Sequence, residues 1–157
     1  MTGAVTIQDP PRLVLRTLNP IMRSVLRSPL HPAVDKTVIL LHITGRRTGR
    51  RYAIPVGRRN VDGQLAAFTH APWRLNLRGG ADIDVTHDGR REAMRAELVE
   101  DPASVAAVFD DQLRELGWRK ASRLGLKVHV DRAPTRAELQ ESLANAHVSI
   151  AMLAPRG

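Results

Sequence analysis

Between Lys36 and Val99 the chain alternates short β-type runs with glycine, aspartate and asparagine turns, and this pattern limits the fold more than any other feature. The runs are rich in apolar and β-branched residues, and one of them alternates apolar with polar positions. The predicted strands are residues 38–43, 51–58, 64–69, 82–86 and 91–99. Because tight turns separate successive runs, neighbouring strands are predicted to pair as antiparallel hairpins.

Helical patterns flank these strands. Apolar residues spaced by three and four predict an amphipathic N-terminal helix over residues 13–26, with a break at Pro20. A second helix is predicted from Asp101-Pro102 to Leu116. A third is predicted over residues 135–145, where Thr135 and Glu138 form a capping box. Residues 126–130 fit a short strand, a helix end or a loop equally well, and residues 147–153 predict a closing strand.

The element order predicts an α+β fold. It consists of a small antiparallel β-barrel of about five to six strands, with one N-terminal and two C-terminal helices. A chain of 157 residues has the size of one domain. We expect an N-terminal helical segment (1–35), a barrel core that carries an arginine-rich loop (36–100), and helices with a closing strand (101–157).

The amino-acid composition indicates the cellular compartment in which the protein is expected. The chain has no cysteine, which excludes disulfides and thiolate metal ligands and agrees with a reducing compartment. Neither an export signal nor a membrane-spanning run is recognisable, so a cytoplasmic location is expected. The N-terminal helix leaves a peripheral membrane contact open, although its apolar face is more typical of a core. A homodimer also stays open.

The net charge is +8, from 24 Lys and Arg against 16 Asp and Glu, and almost all the positive charge is arginine. Such a balance fits nucleic acid, an anionic membrane surface or an anionic small ligand, and a codon bias towards arginine explains it equally well. The five aromatic residues are scattered rather than interleaved with arginine, which disfavours a stacking platform for nucleic acid. No specific nucleic-acid partner is therefore expected.

The densest group of arginines lies in Gly45-Arg46-Arg47-Thr48-Gly49-Arg50-Arg51. Backbone N–H groups of a glycine turn, guanidinium forks and the Thr48 hydroxyl are the donors that bind phosphate or carboxylate. The spacing differs from that of a Walker loop. From composition alone an anion site and a solvated hairpin turn are equally well supported.

Two ordered blocks give a more specific indication. Residues 38–49, with Thr44-Gly45-Arg46-Arg47-Thr48-Gly49 after an apolar strand, lead to Ile54-Pro55-Val56. Residues 71–77, Ala-Pro-Trp-Arg-Leu-Asn-Leu, precede a further strand. In this order and spacing the blocks resemble the deazaflavin-dependent nitroreductase and quinone reductase family over about residues 38–99.

The resemblance implies a split β-barrel of the flavin-reductase kind that holds coenzyme F420, or less often flavin mononucleotide (FMN). It also implies roles for individual residues. The turn would grip the phosphate and acidic tail, and Ile54, Pro55 and Val56 would line the deazaflavin ring. The implied tail contacts and supporting residues are Arg46, Arg47, Thr48, Gly49, Arg50, Thr69, His70, Ala71, Trp73, Arg74 and Asn76.

The sequence also departs from the family pattern. A Lys-Gly-Gly-rich loop is replaced by Thr69-His70-Ala71-Pro72, the tyrosine after the tryptophan is Arg74, and the substrate-side tyrosines have no counterpart after Glu100. Tyr52 and His70 are the candidates for a proton donor. The histidines lack the spacing of metal ligands, so no metal site is expected.

The implied activity is hydride transfer from the reduced cofactor to an electrophilic small molecule, such as a quinone, enone or nitro compound. The alternative is a non-catalytic split-barrel protein that binds or carries a deazaflavin, a flavin or another small anionic or apolar ligand.

Overall fold

The computed structural model describes residues 3–7 and 38–156, and these residues form two compact units. The sheet unit contains residues 38–98 and 150–156, and the helical unit contains residues 3–7 and 99–149. The predicted N-terminal helix over residues 13–26 lies outside the described residues, and so does the membrane contact assigned to it. The single-domain organisation stays a prediction.

The sheet unit is built on seven strands: β2 (Val38–Thr44), β3 (Arg51–Gly57), β4 (Arg59–Val61), β5 (Gln64–Thr69), β6 (Ala81–His87), β7 (Arg90–Val99) and β9 (Ser149–Pro155). They form one sheet in the order β3-β2-β6-β7-β9-β5-β4. A short 3₁₀ helix, Pro72–Leu77, connects β5 to β6. The pairs β2–β3, β2–β6, β4–β5 and β6–β7 are antiparallel.

The α+β class and the dominance of an antiparallel sheet, which forms a half-barrel, agree with the prediction. The strand count does not. Nine strands lie within the described residues, counting β1 (Val5–Ile7) and β8 (Leu126–Val128) of the helical unit. The prediction missed β4 because Asn60 was assigned to a turn. The turn residues are instead Asp62 and Gly63, both with positive φ, which suit the twist of a two-residue hairpin.

The core of the sheet unit follows the two-residue period of its strands. Ile39, Leu41 and Ile43 on β2 and Ile83 and Val85 on β6 are buried in one cluster. Because alternate residues of a strand point to opposite faces, the residues between them form a second face of the sheet, here called the outer face, on which Leu40 is also buried. The alternation predicted for residues 82–86 therefore orients β6 correctly.

The helical unit contains α1 (Pro102–Leu116), a 3₁₀ segment (Trp118–Leu124) and α2 (Arg136–Asn145). The capping box is confirmed: Thr135 Oγ1 accepts from the Glu138 N–H at 3.2 Å, and the Thr135 N–H donates to Glu138 Oε1 at 2.9 Å.

The sequence analysis missed two elements of the helical unit and left open the structure of residues 126–130. Strand β1 and the 3₁₀ segment were not predicted, and β8 shows that residues 126–128 are a strand, paired antiparallel with β1. Among residues 3–7 and 38–156, no helix has both the length and the apolar character needed to cross a bilayer.

Candidate functional site

The arginine turn, residues 45–50, closes the hairpin between β2 and β3. The Gly45 N–H donates to the Arg50 carbonyl at 2.8 Å, and the Gly49 N–H donates to the Gly45 carbonyl at 2.9 Å. Gly49 has φ +71°, a conformation that residues with a Cβ rarely adopt. Residues 46–50 are exposed, so the turn presents its side chains to solvent.

Gly45 allows two other side chains to approach the turn. A Cβ at this position would lie 3.2 Å from Thr48 Oγ1 and 3.3 Å from Tyr52 Cε2. Thr48 Oγ1 also accepts from the Arg50 N–H at 3.2 Å, which holds the hydroxyl inside the turn. The missing side chain therefore lets a hydroxyl and a phenol ring pack on the backbone of the turn.

Arg46 joins the arginine turn to the short helix. Its N–H donates to Asn76 Oδ1 at 2.9 Å, and Asn76 Nδ2 donates to the Trp73 carbonyl at 3.0 Å. Arg46 Nη2 also reaches the Gly80 carbonyl at 3.4 Å. Trp73 packs against the core of the sheet unit. The position of the turn is therefore fixed by a part of the chain about thirty residues further on.

The charge of the arginine turn is not compensated locally. Within the described ranges, Arg46, Arg47, Arg50 and Arg51 have no carboxylate at ion-pair distance. Several other arginines of the sheet unit are paired with carboxylates, as Arg91 is with Asp84 at 2.9 Å. A cluster of guanidinium groups without carboxylates attracts anions and can bind them bidentately. Arg50 also lies over the Tyr52 ring, 5.9 Å from its centroid.

The loop before the short helix is held by its own side chains. Thr69 Oγ1 accepts from the Ala71 N–H at 3.0 Å. Arg74 Nη1 donates to the carbonyls of His70 and Ala71, both at 3.1 Å, while Arg74 Nε is buried and has no hydrogen-bond partner among the described residues. Arg74 therefore closes this loop, although the resemblance implies that it contacts the cofactor tail. His70 itself is exposed.

The three residues predicted to line the ring lie on two faces of the sheet. Paired residues of antiparallel strands share a face, and Ile54 and Val56 pair with the buried Leu41 and Ile39. Both pack against the core. Pro55 pairs with Leu40 and therefore belongs to the outer face. The structure does not bring Ile54, Pro55 and Val56 together on one surface.

A cavity of about 560 Å³, here called the outer cavity, lies beside the base of the arginine turn. Its walls include His42, Thr44, Arg51, Tyr52, Asp84 and Arg91. Thr44 and Arg51 are the paired residues that flank the turn in β2 and β3. The volume is within the range typical of small-molecule sites.

Polar groups of the outer cavity are held in place by their neighbours. His42 Nε2 lies 2.7 Å from Thr86 Oγ1, and Arg91 Nε donates to Asp84 Oδ2 at 2.9 Å. Asp84 is the cross-strand partner of His42. Sequence reasoning missed His42, Thr44 and Asp84, although the two-residue period of β2 and β6 places them on the face opposite the core.

The comparisons with known proteins identify the class of protein. The family described as F420H(2)-dependent quinone reductase matches residues 22–116, which is more than half of the 157-residue chain. The chain therefore belongs to this family of deazaflavin-dependent oxidoreductases, as the resemblance indicated. The family uses F420H2, so the prediction of coenzyme F420 as cofactor is confirmed.

No curated protein is similar enough to match the chain. Among solved structures, the FAD and heme binding protein from Mycobacterium smegmatis shares 21% identity with it. The similarity covers 83% of this chain and 67% of that chain, with a TM-score of 0.39.

Proposed function

We propose that the chain transfers a hydride from reduced coenzyme F420 to a quinone, with the acidic tail held by the arginine turn. The observation that carries this proposal is the bond from the Arg46 N–H to Asn76 Oδ1. It fixes a turn of uncompensated arginines directly beside a cavity large enough for a ring system.

The residues present fit the tail of the cofactor. Coenzyme F420 carries a phosphodiester followed by glutamate carboxylates, and the turn offers guanidinium groups without a local counter-ion. The backbone N–H groups of Gly45, Arg46, Gly49 and Arg50 already donate within the chain. Arg47 is exposed and makes no ion pair within the described residues. Arg46 and Arg47 would bind the tail by charge, with Thr48, Gly49 and Arg50 shaping the turn around it.

The outer cavity would hold the deazaflavin ring and the quinone. It begins where the arginine turn ends, at Thr44 and Arg51, so one molecule can occupy both surfaces. Pro55 is on this face of the sheet, two residues beyond Ala53 of the cavity wall. The walls would replace water around the reacting groups and hold them close together.

Reduced coenzyme F420 supplies the hydride when it is bound, and a quinone that accepts it needs one further proton. Tyr52 is our candidate donor because it is 39% exposed and belongs to the wall of the outer cavity, although its pairing with Ile43 puts its side chain on the core face of β3. His70 belongs to the loop before the short helix and is not part of that wall. Tyr52 is therefore the stronger of the two predicted donors.

Steady-state turnover tests the substrate class. Protein and reduced coenzyme F420 are mixed with menadione, with an enone such as cyclohexenone, or with a nitroaromatic compound, and reoxidation of the coenzyme is followed by absorbance. The proposal predicts the highest kcat/KM for the quinone. A higher kcat/KM for the enone or the nitro compound would support an oxidoreductase but would contradict a quinone as its substrate.

A further inference from the structure

The helical unit contains a cavity of about 230 Å³ that the proposed reaction does not use, here called the Trp118 cavity. It is lined by the end of α1, by Trp118, and by Ala133 and Pro134, which precede α2. Trp118 and Pro134 lie beyond residues 22–116, the part of the chain that matches the family.

One end of the Trp118 cavity is charged. The Asp110 side chain is only 8% exposed, and its Oδ2 accepts from Arg136 Nε at 3.2 Å and Nη2 at 3.1 Å. Arg114 Nη2 lies 3.2 Å from the same oxygen. Two guanidinium groups thus meet one carboxylate, which leaves an excess of one positive charge at this end of the cavity.

Arg114 is the group that can present this excess charge to a ligand. Its side chain is 75% exposed, and one of its nitrogens reaches Asp110. Among the residues that the structure describes, it has no other acidic partner. Arg136 already holds Asp110 with two nitrogens, so Asp110 keeps a partner when Arg114 binds elsewhere.

The other walls are apolar. Leu113 and Pro134 are buried, and Trp118 contributes a large ring. The Arg119 guanidinium lies 4.9 Å from the centroid of that ring, which helps to hold its orientation. The volume is below that of sites for drug-sized ligands, so the cavity suits one or two fused rings rather than a cofactor.

We propose that the Trp118 cavity binds a small aromatic carboxylate, with its ring against Trp118, Leu113 and Pro134 and its carboxylate on Arg114. Planar bidentate pairing of guanidinium with carboxylate gives the specificity, and apolar burial of the ring gives the contact area. Every residue of this site belongs to the helical unit, so it is independent of the proposed cofactor site.

Calorimetric titration of the full chain with 2-naphthoate and its neutral analogue 2-naphthamide tests this site. The acid is expected to bind at least about tenfold more tightly than the amide. Arg114→Gln is expected to lower the affinity for the acid to that for the amide and to leave the amide unchanged. Trp118→Leu should weaken both ligands.

Arg123→Gln is the matched control, because it removes one exposed charge from the same unit and Arg123 does not line the cavity. It should leave both affinities unchanged. The proposal is overturned if neither ligand binds at millimolar concentration, or if the amide binds as tightly as the acid. It is also overturned if Arg123→Gln weakens the acid as much as Arg114→Gln does. Since Arg114 is largely exposed, its substitution tests the site even if Trp118→Leu does not fold.

Discussion

The backbone N–H of Arg46 donates a hydrogen bond of 2.9 Å to Oδ1 of Asn76, thirty residues further along the chain. The contact connects the arginine turn to the short helix, and Asn76 in turn donates to the Trp73 carbonyl. The guanidinium groups are thus presented from a turn with a fixed position. Preorganisation of this kind reduces the entropy lost when a charged ligand binds.

We predict that Asn76→Ala weakens the binding of coenzyme F420 without unfolding the chain. The substitution removes the acceptor of the Arg46 N–H and the donor to Trp73, so the expected loss is about 1.4 kcal/mol, or tenfold in Kd. Fluorescence titration measures it. Asn60→Ala is the matched control, because Asn60 Oδ1 also accepts a backbone N–H at 2.9 Å, from Gly63 in another turn. Equal effects of the two substitutions would argue against the role of Asn76.

We predict that the double substitution Arg46→Ala and Arg47→Ala weakens coenzyme F420 binding by about 2 to 5 kcal/mol, because charge-assisted contacts to the tail are lost. Circular dichroism should show an intact fold. Replacing Lys120 and Arg123 with Ala removes the same charge from the exposed surface of the helical unit and should change Kd little. An unchanged Kd in the folded Arg46/Arg47 variant would remove the arginine turn from the site.

We predict that coenzyme F420 binds at least about tenfold more tightly than FMN, a difference of about 1.4 kcal/mol. The longer acidic tail can contact several arginines of the turn, whereas FMN has a single phosphate. Arg74 is not expected to contribute, because it donates to the carbonyls of His70 and Ala71. The margin should shrink at high salt, since the turn is exposed to screening. Equal affinities at low salt would show that these arginines serve another ligand.

We predict a small acid-sensitive contribution to stability from Asp88 in the sheet unit. Hydrogen bonds from Arg58 at 2.9 and 3.2 Å hold the pKa of Asp88 at about 2, well below its usual value. A lowered pKa in the folded state stabilises the protein above the unfolded pKa of about 4, and the contribution disappears as pH falls through about 2. Because the Asp88 side chain is 54% exposed, the expected size is below about 1 kcal/mol.

Urea unfolding of wild type and Asp88→Asn measures this contribution. The variant should be less stable near neutral pH, and the difference should vanish near pH 2. Comparing the two proteins cancels the titration of Glu138, whose pKa is also lowered to about 2 by Arg132. A difference between the proteins that does not change with pH would contradict the prediction.

The sequence predicts those parts of the fold that depend on local signals. The hairpin around the arginine turn, the helix after Pro102 and the capping box at Thr135 are each set by residues close together in the chain. Strand β1 was missed because three residues carry little periodicity, and its partner β8 is more than a hundred residues away. Such pairings depend on tertiary contacts rather than on local preference.

In the candidate site, too, only features formed by residues close together in the chain could be predicted. Its charged turn could be recognised from the sequence, because the glycines and arginines are contiguous. The position of the Arg74 side chain could not be recognised, since an arginine there could reach either a ligand or the carbonyls of the preceding loop, as it does at His70 and Ala71. The outer cavity was missed for a different reason. Residues from four strands form its walls, and these residues can be identified only when the register of β2 with β3 and β6 is known.

Single-turnover kinetics tests the central claim most directly. The protein is saturated with reduced coenzyme F420 and mixed rapidly with menadione, and oxidation of the coenzyme is followed. We predict that oxidation is far faster than in the mixture without protein, and that the Arg46/Arg47 variant loses this acceleration at coenzyme concentrations that saturate wild type. Tight coenzyme binding with no acceleration by any quinone, enone or nitro compound would contradict it, and would identify the chain as a protein that binds or carries the coenzyme.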